Sequence, residues 1–152
     1  MEHSHLKRLY RIWVENPIFF ITICTKNRDK ILTDPQSAEI LLEEWESAKG
    51  RHNWYVGRYV IMPDHVHFFW APGNEAKDLS IFIKCWKEWT NKRIKKACNL
   101  QRNVWQPEFF DHLLRNEKSY TQKWEYVLNN PVHAGLVKDA KEWLLQGEIE
   151  EL

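Results

Sequence analysis

The stretch WYVGRYVIMPDHVHFFWA, residues 54–71, decides the fold. Residues 54–62 and 65–71 are rich in β-branched and aromatic side chains, which is typical of strands. Only Pro63 and Asp64 separate the two runs. A connection this short predicts that the two strands pair as an antiparallel hairpin.

The second strand of this hairpin carries two histidines on one face. Side chains alternate along a strand, so His65 and His67 project to one side while Val66, Phe68 and Trp70 project to the other. A buried imidazole without a partner costs free energy. The two rings, roughly 7 Å apart at the backbone, could both reach one metal ion. The alternative is a pair of half-exposed surface histidines, because His-x-His alone is weak evidence.

The remaining elements follow from apolar spacing and helix-capping residues. A continuous apolar run from Pro17 predicts a central strand. Asp34 is the expected N-cap of a helix with Pro35 in its first turn and Gly50 at its end. The other predicted helices cover residues 77–97, 117–130 and 140–145, and residues 103–115 are predicted to form a loop.

The order of these elements predicts an α+β fold. A ferredoxin-like or RRM-like antiparallel sheet is expected, with the helices packed on one face and the third helix near the His-x-His strand. The 152 residues are interpreted as one domain, with a core at about 17–137 and a tail at 138–152. No apolar run is long enough for a membrane span, and three unpaired cysteines favour a reducing cytoplasm.

Basic residues cluster in the middle of the chain. The net charge is only +1. Between Lys84 and Arg102, however, seven basic residues face one acid, Glu88, a local balance of 7 − 1 = +6. A polyanion such as nucleic acid could bind there, and the alternative is an ordinary solvated helix face.

The third predicted helix carries a tyrosine that its own packing does not explain. Its apolar stripe is formed by four residues: Tyr120, Trp124, Val127 and Leu128. Tyr126 and Asn130 lie one turn apart on the opposite side, with Lys123 nearby. Tyr120 is therefore interpreted as a core residue. Tyr126 is either a surface tyrosine or a functional one.

A metal site follows if the polar side of this helix lies over the two histidines. His65, His67 and the amide oxygen of Asn130 could then hold a divalent cation. Imidazole and amide ligands without cysteine favour Mg²⁺ or Mn²⁺ over structural zinc. Such an ion would polarise a phosphodiester, and the Tyr126 hydroxyl would point at the bond to be cleaved.

Three segments together resemble the REP-associated tyrosine transposases, a branch of the single-tyrosine transposases with a His-hydrophobe-His motif. They are MPDHVHFFW at 62–70, VWQPEFFDHLLRNEKSY at 104–120 and YVLNNPVHAGLV at 126–137. The resemblance extends from about Pro17 to Val137. It implies a transposase and endonuclease that cleaves and rejoins single-stranded DNA at hairpins formed by repetitive palindromes.

The resemblance also implies roles for individual residues. Tyr126 would attack the phosphodiester, forming a 5′-phosphotyrosine link, and His65, His67 and Asn130 would bind Mg²⁺ or Mn²⁺. Backbone contacts to the hairpin are expected from five basic residues: Lys84, Lys87, Arg93, Lys95 and Arg102. The implied protein is bacterial and cytoplasmic, associated with the nucleoid when bound to DNA, and acts as a monomer or a homodimer.

Two other functions stay open at this point. The chain could be a non-catalytic protein, derived from a transposase, that binds structured single strands. A two-histidine phosphoesterase is the third hypothesis, but it requires two separated His-x-Thr or His-x-Ser motifs. Only His65 and His67 lie in a convincing strand, since His3 and His5 belong to a polar N-terminal segment.

Overall fold

A five-stranded antiparallel sheet forms the centre of the fold in the computed structural model, which describes residues 18–152. Its strands are β1 (Ile18–Cys24), β2 (Trp54–Ile61), β3 (His65–Pro72), β4 (Phe110–Leu114) and β5 (Gln146–Glu148). Their spatial order is β4-β1-β3-β2-β5. The β2–β3 hairpin is confirmed. The predicted start of the first strand, Pro17, lies outside the described residues.

Two long helices complete a ferredoxin-like core. Helix α1 (Pro35–His52) connects β1 to β2, and α2 (Leu79–Cys98) connects β3 to β4. The side chain of Asp34 accepts a hydrogen bond from the backbone N–H of Gln36, as expected of an N-cap. The helix does not end at Gly50 but continues to His52, and Asn53 terminates it at φ 60°.

Two short helices follow β4. Helix α3 (Glu117–Leu128) begins at Asn116, whose side chain accepts a hydrogen bond from the Ser119 backbone N–H. Helix α4 (Asn130–His133) is a single turn that begins two residues after α3 ends. The segment predicted as a helix at 140–145 is only a 3-10 turn, Ala140–Glu142.

The predicted loop at 103–115 is wrong in its second half, because residues 110–114 form β4. This strand lies at the edge of the sheet, and its first three side chains are exposed. An edge strand of this kind lacks the apolar alternation from which a strand is predicted. The short strand β5 forms the opposite edge of the sheet by pairing with β2. It likewise lacks an apolar alternation.

The helices pack on both faces of the sheet, so the prediction of one covered face is wrong in this respect. Helices α1 and α2 cover one face, where the Trp45 and Trp86 rings stack at 5.8 Å and both contact Phe68. Helix α3 covers the other face, where Val127 is buried in a cluster with Phe69. The α+β class and the antiparallel sheet are confirmed.

Candidate functional site

The two histidines of β3 lie side by side on the face of the sheet that α3 covers. The ring centroids of His65 and His67 are 4.7 Å apart, with the ring planes at 78°. Phe20 on β1 stacks against His67 at 5.4 Å. The His67 side chain is almost buried, with 7% of its surface exposed. The alternation of β3 therefore places both imidazoles side by side on one face of the sheet, as the sequence predicts.

Asp64 fixes the orientation of His65. The Asp64 Oδ1 atom lies 2.8 Å from Nδ1 of His65, and its Oδ2 atom accepts a hydrogen bond of 2.9 Å from Nε of Arg28. Burial would raise the pKa of Asp64, but the hydrogen bonds from His65 and Arg28 hold it below its usual value. An ionised carboxylate can only accept hydrogen bonds, so Nδ1 of His65 carries the proton. Nε2 of His65 takes no part in this contact and is the ring nitrogen that could bind a metal ion.

Thr22 holds His67 in a similar way from the neighbouring strand. The Thr22 Oγ1 atom lies 2.8 Å from Nδ1 of His67. The other ring nitrogen, Nε2, is buried and has no hydrogen-bond partner among residues 18–152. Burial, reinforced by the positive charges of His65, Lys123 and Arg28, lowers the pKa of His67 to about 3. His67 is therefore neutral at physiological pH, which is the state that binds metals.

These contacts fit a divalent metal ion. In both histidines Nδ1 is engaged, which leaves the two Nε2 atoms as candidate ligands, and an unpaired buried nitrogen otherwise costs free energy. Within residues 18–152 no group of three or more His, Cys, Asp or Glu side chains is placed to hold a metal. A third protein ligand would thus be of another type. Asn130, the first residue of α4, is partly buried and offers an amide oxygen of this kind.

Helix α3 packs on this face of the sheet through its apolar stripe. The Tyr120 and Trp124 rings lie 4.7 Å and 6.0 Å from the ring of Phe69, two residues beyond His67 on the same face. The guanidinium group of Arg58 lies over the rings of both Tyr120 and Trp124. The hypothesis that the polar side of the helix lies over the histidine face is therefore wrong. The apolar stripe occupies that position, because it is the side that gains from burial.

The polar side of α3 borders the histidines instead of covering them. Lys123 Nζ lies 5.1 Å from the centre of the Phe20 ring, which stacks on His67. Tyr126 follows Lys123 by three residues and so shares its side of the helix. Its ring is 60% exposed. The side of α3 that carries Lys123 and Tyr126 thus lies next to the histidine pair.

Tyr120 has the environment of a core residue, as predicted. Burial, opposed by the charge of Arg58, raises the pKa of its phenol to about 12. A phenol that is this difficult to ionise is a poor nucleophile at neutral pH. Of the two tyrosines of α3, only Tyr126 is exposed enough to meet a large substrate.

Four of the five predicted DNA-binding residues belong to α2, which covers the face of the sheet opposite to the histidines. Lys87 donates to the Pro107 carbonyl at 2.9 Å, and Arg93 pairs with Glu43 at 2.7 Å. Arg102, in the following loop, pairs with Asp29 at 2.6 Å. Lys84 and Lys95 have no ion pair within residues 18–152. A role for all five in DNA binding stays a prediction.

Sequence reasoning missed the residues that hold the histidines in place. Asp64 is interpreted there only as a turn residue, although an acid directly before the first histidine is a signal for a hydrogen bond to its ring. Thr22 is the one hydroxyl inside the apolar run of β1. Its pairing opposite His67 depends on strand register, which the sequence does not reveal.

Comparison with known proteins identifies the family. Residues 14–130 match the family model described as "Transposase IS200 like". A REP-associated tyrosine transposase of Escherichia coli strain K12 is 30% identical over 133 residues, which cover 88% of this chain and 77% of that protein. The chain belongs to the REP-associated tyrosine transposases. This family is the one that the three motifs resemble.

Solved structures agree with the assignment of this REP-associated tyrosine transposase. A structure of a REP-associated tyrosine transposase bound to a REP hairpin matches with a TM-score of 0.70 and 27% identity, covering 86% of this chain and 75% of that one. A Deinococcus radiodurans chain shares the fold with a TM-score of 0.57 and 20% identity, covering 75% and 90%. Across residues 18–152, no helix is long and apolar enough to cross a membrane.

Proposed function

We propose that this transposase cleaves and rejoins single-stranded DNA beside a REP-like hairpin, with Tyr126 as the nucleophile. One observation carries the proposal. The Nε2 atom of His67 is buried next to His65 without a hydrogen-bond partner among residues 18–152, and the side of α3 that carries Lys123 and Tyr126 lies beside this pair. Such a pair of oriented imidazoles beside an accessible phenol suits phosphodiester chemistry. The hairpin-bound relative supports a structured single strand as the substrate.

The proposed cleavage exchanges one phosphate ester for another. The Tyr126 oxygen attacks phosphorus and loses its proton, while the bond from phosphorus to the 3′ oxygen breaks. The 3′ oxygen takes up a proton and leaves as a hydroxyl. The DNA 5′ phosphate stays attached to the tyrosine, so attack by another 3′-OH rejoins a strand without ATP.

His65, His67 and Asn130 are the residues that would hold Mg²⁺ or Mn²⁺. When bound, the ion would stabilise the negative charge that develops on the phosphate and on the leaving oxygen. Lys123 and Arg28 are close enough to His67 to lower its pKa through their charges. Their positive charge would also attract the phosphate backbone to this face.

The test is the covalent intermediate itself. The protein is incubated with a labelled hairpin that has single-stranded flanks, with Mn²⁺, and the products are separated under denaturing conditions. A protein–DNA adduct is expected for the wild type and for Tyr120→Phe, which keeps the buried ring. It should be absent in Tyr126→Phe. An adduct that survives in Tyr126→Phe would overturn the assignment of the nucleophile.

The same assay distinguishes the alternative of a non-catalytic binding protein. That protein would bind the hairpin but form neither adduct nor cleaved strand with any divalent ion. A hydrolase would instead release a free 5′ phosphate, which labelling of the product ends detects. The transposase reaction leaves that phosphate on the protein.

A further inference from the structure

Phe110 is an exposed aromatic residue on the same face of the sheet as the histidines. It opens β4 and pairs directly with Thr22 of β1, which in turn pairs with His67 of β3. Residues directly opposite each other in antiparallel strands project to the same face. The Thr22 hydroxyl contacts the His67 ring, which shows that this row faces the candidate site. Phe110 therefore belongs to the surface around the site.

No contact within residues 18–152 explains the exposure of Phe110. Its side chain is 70% exposed, whereas its neighbour Phe109 is partly buried against the core on the other face of the sheet. An exposed phenylalanine on a strand costs solubility and favours edge-to-edge association. A benzene ring at the start of an edge strand is nevertheless well suited to receive a planar partner from solvent.

The surroundings favour a nucleic-acid base as that partner. Two strand spacings separate the backbones of Phe110 and His67, which is roughly 10 Å. A nucleotide close to the phosphodiester at the histidines could therefore reach the ring. Lys123 supplies a positive charge on the same face, where it lies over Phe20. Aromatic side chains on an open sheet surface stack unpaired bases in several nucleic-acid-binding folds.

We propose that Phe110 is a stacking platform for an unpaired base next to the cleaved bond, and so positions the single-stranded substrate. This inference rests on the proposed function, because it places the scissile phosphodiester at the histidines. It adds a substrate-binding residue on β4, a strand that contributes none of the residues of the candidate metal site.

Binding of a base-substituted hairpin tests this inference without requiring cleavage. The fluorescent base 2-aminopurine is placed singly at each position of the unpaired flank. Fluorescence is measured on binding to the Tyr126→Phe protein, to the same protein with Phe110→Ala, and to the same protein with Phe110→Tyr. Stacking on the ring should quench one or two adjacent positions, and the quenching should vanish with alanine and persist with tyrosine. Affinity should fall by roughly 5- to 100-fold with alanine.

Trp89 provides the matched control. It is an exposed aromatic, 49% accessible, on α2 and therefore on the opposite side of the sheet. Trp89→Ala should change neither the quenching nor the affinity. Equal quenching by the Phe110→Ala protein would overturn the inference. The inference would also be overturned if Phe110→Ala left DNA binding unchanged but abolished self-association in size-exclusion chromatography. That result would make Phe110 a contact between copies of the chain. Because Tyr126 is already replaced, neither result depends on whether the protein cleaves DNA.

Discussion

The Thr22 hydroxyl on β1 lies 2.8 Å from Nδ1 of His67 on β3, so one strand orients the imidazole of the next. On the other histidine, Asp64 makes the equivalent contact and is itself held by Arg28. Both rings are thus fixed through the nitrogen that would not bind the metal. Hydrogen bonds to the other ring nitrogen set the tautomer and the direction of metal-binding histidines.

Removing the Thr22 hydroxyl should weaken metal binding. Thr22→Val keeps the shape of the side chain but leaves Nδ1 of His67 without its partner. We expect Mn²⁺ affinity to fall by about 10- to 100-fold, the usual effect of losing a hydrogen bond that orients a metal ligand. The measurement is a titration that follows the free Mn²⁺ signal by electron paramagnetic resonance.

Thr22→Ser is the control, because it restores the hydroxyl and should restore the affinity. Nitrogen–proton NMR correlations on the metal-free protein provide an independent readout. His67 should be protonated on Nδ1 in the wild type and in Thr22→Ser, and should become a mixture of tautomers in Thr22→Val. An unaltered tautomer and an unaltered affinity in Thr22→Val would contradict the role given to Thr22.

Lys123, which lies beside the candidate site, should contribute more to DNA binding than the cations of α2. Lys123 lies over the ring that stacks on His67, whereas Lys84 projects from a helix on the opposite face. In the Tyr126→Phe background, Lys123→Gln should weaken hairpin binding and reduce the slope of log affinity against log salt by about one. Lys84→Gln should leave the slope nearly unchanged. Equal slopes for the two variants would show that the hairpin extends over α2.

The sequence predicts those features of the fold and the site that neighbouring residues determine, and it does not predict those that depend on contacts between distant residues. The β2–β3 hairpin and the exposure of Tyr126 follow from alternation and helical spacing, which neighbouring residues determine. Strand β4 was missed because an exposed edge strand has no apolar pattern. The contact between Thr22 and His67 spans 45 positions and depends on register. Which side of α3 lies over the histidines depends on tertiary packing, which the helical spacing within α3 does not determine.

Ionisation of the Tyr120 phenol should lower the free energy of unfolding at alkaline pH. Burial raises the pKa of its phenol to about 12 in the folded protein, against about 10 in an unfolded chain. The folded state therefore favours the neutral phenol, and this contribution is complete below pH 10 and is lost as the pH rises from about 10 to about 12. The free energy of unfolding, measured in urea, should thus decline more steeply over this interval in the wild type than in Tyr120→Phe. Parallel profiles would mean that Tyr120 is not buried as described.

Gly57 and Leu152 should prove energetically coupled, because the C-terminal segment packs where β2 has no side chain. The Ile149 backbone N–H donates to the Gly57 carbonyl at 3.0 Å. A Cβ atom on Gly57 would lie 2.6 Å from Cδ1 of Leu152, which is 6% exposed. Leu152 is buried in the same cluster as Phe69 and Val127, the residues that seat α3.

Gly57→Ala should therefore displace Leu152 and lower the free energy of unfolding by about 1–3 kcal/mol, the usual cost of overpacking. Leu152→Ala should cost about 2 kcal/mol or more by leaving a cavity. The double variant should be more stable than the sum of the two losses predicts, with a coupling energy of about 0.5–3 kcal/mol, because alanine at 152 leaves room for the new methyl group. Urea unfolding of all four proteins completes the cycle. Strict additivity would show that Leu152 does not occupy the space above Gly57, and that α3 is seated without the C-terminal segment.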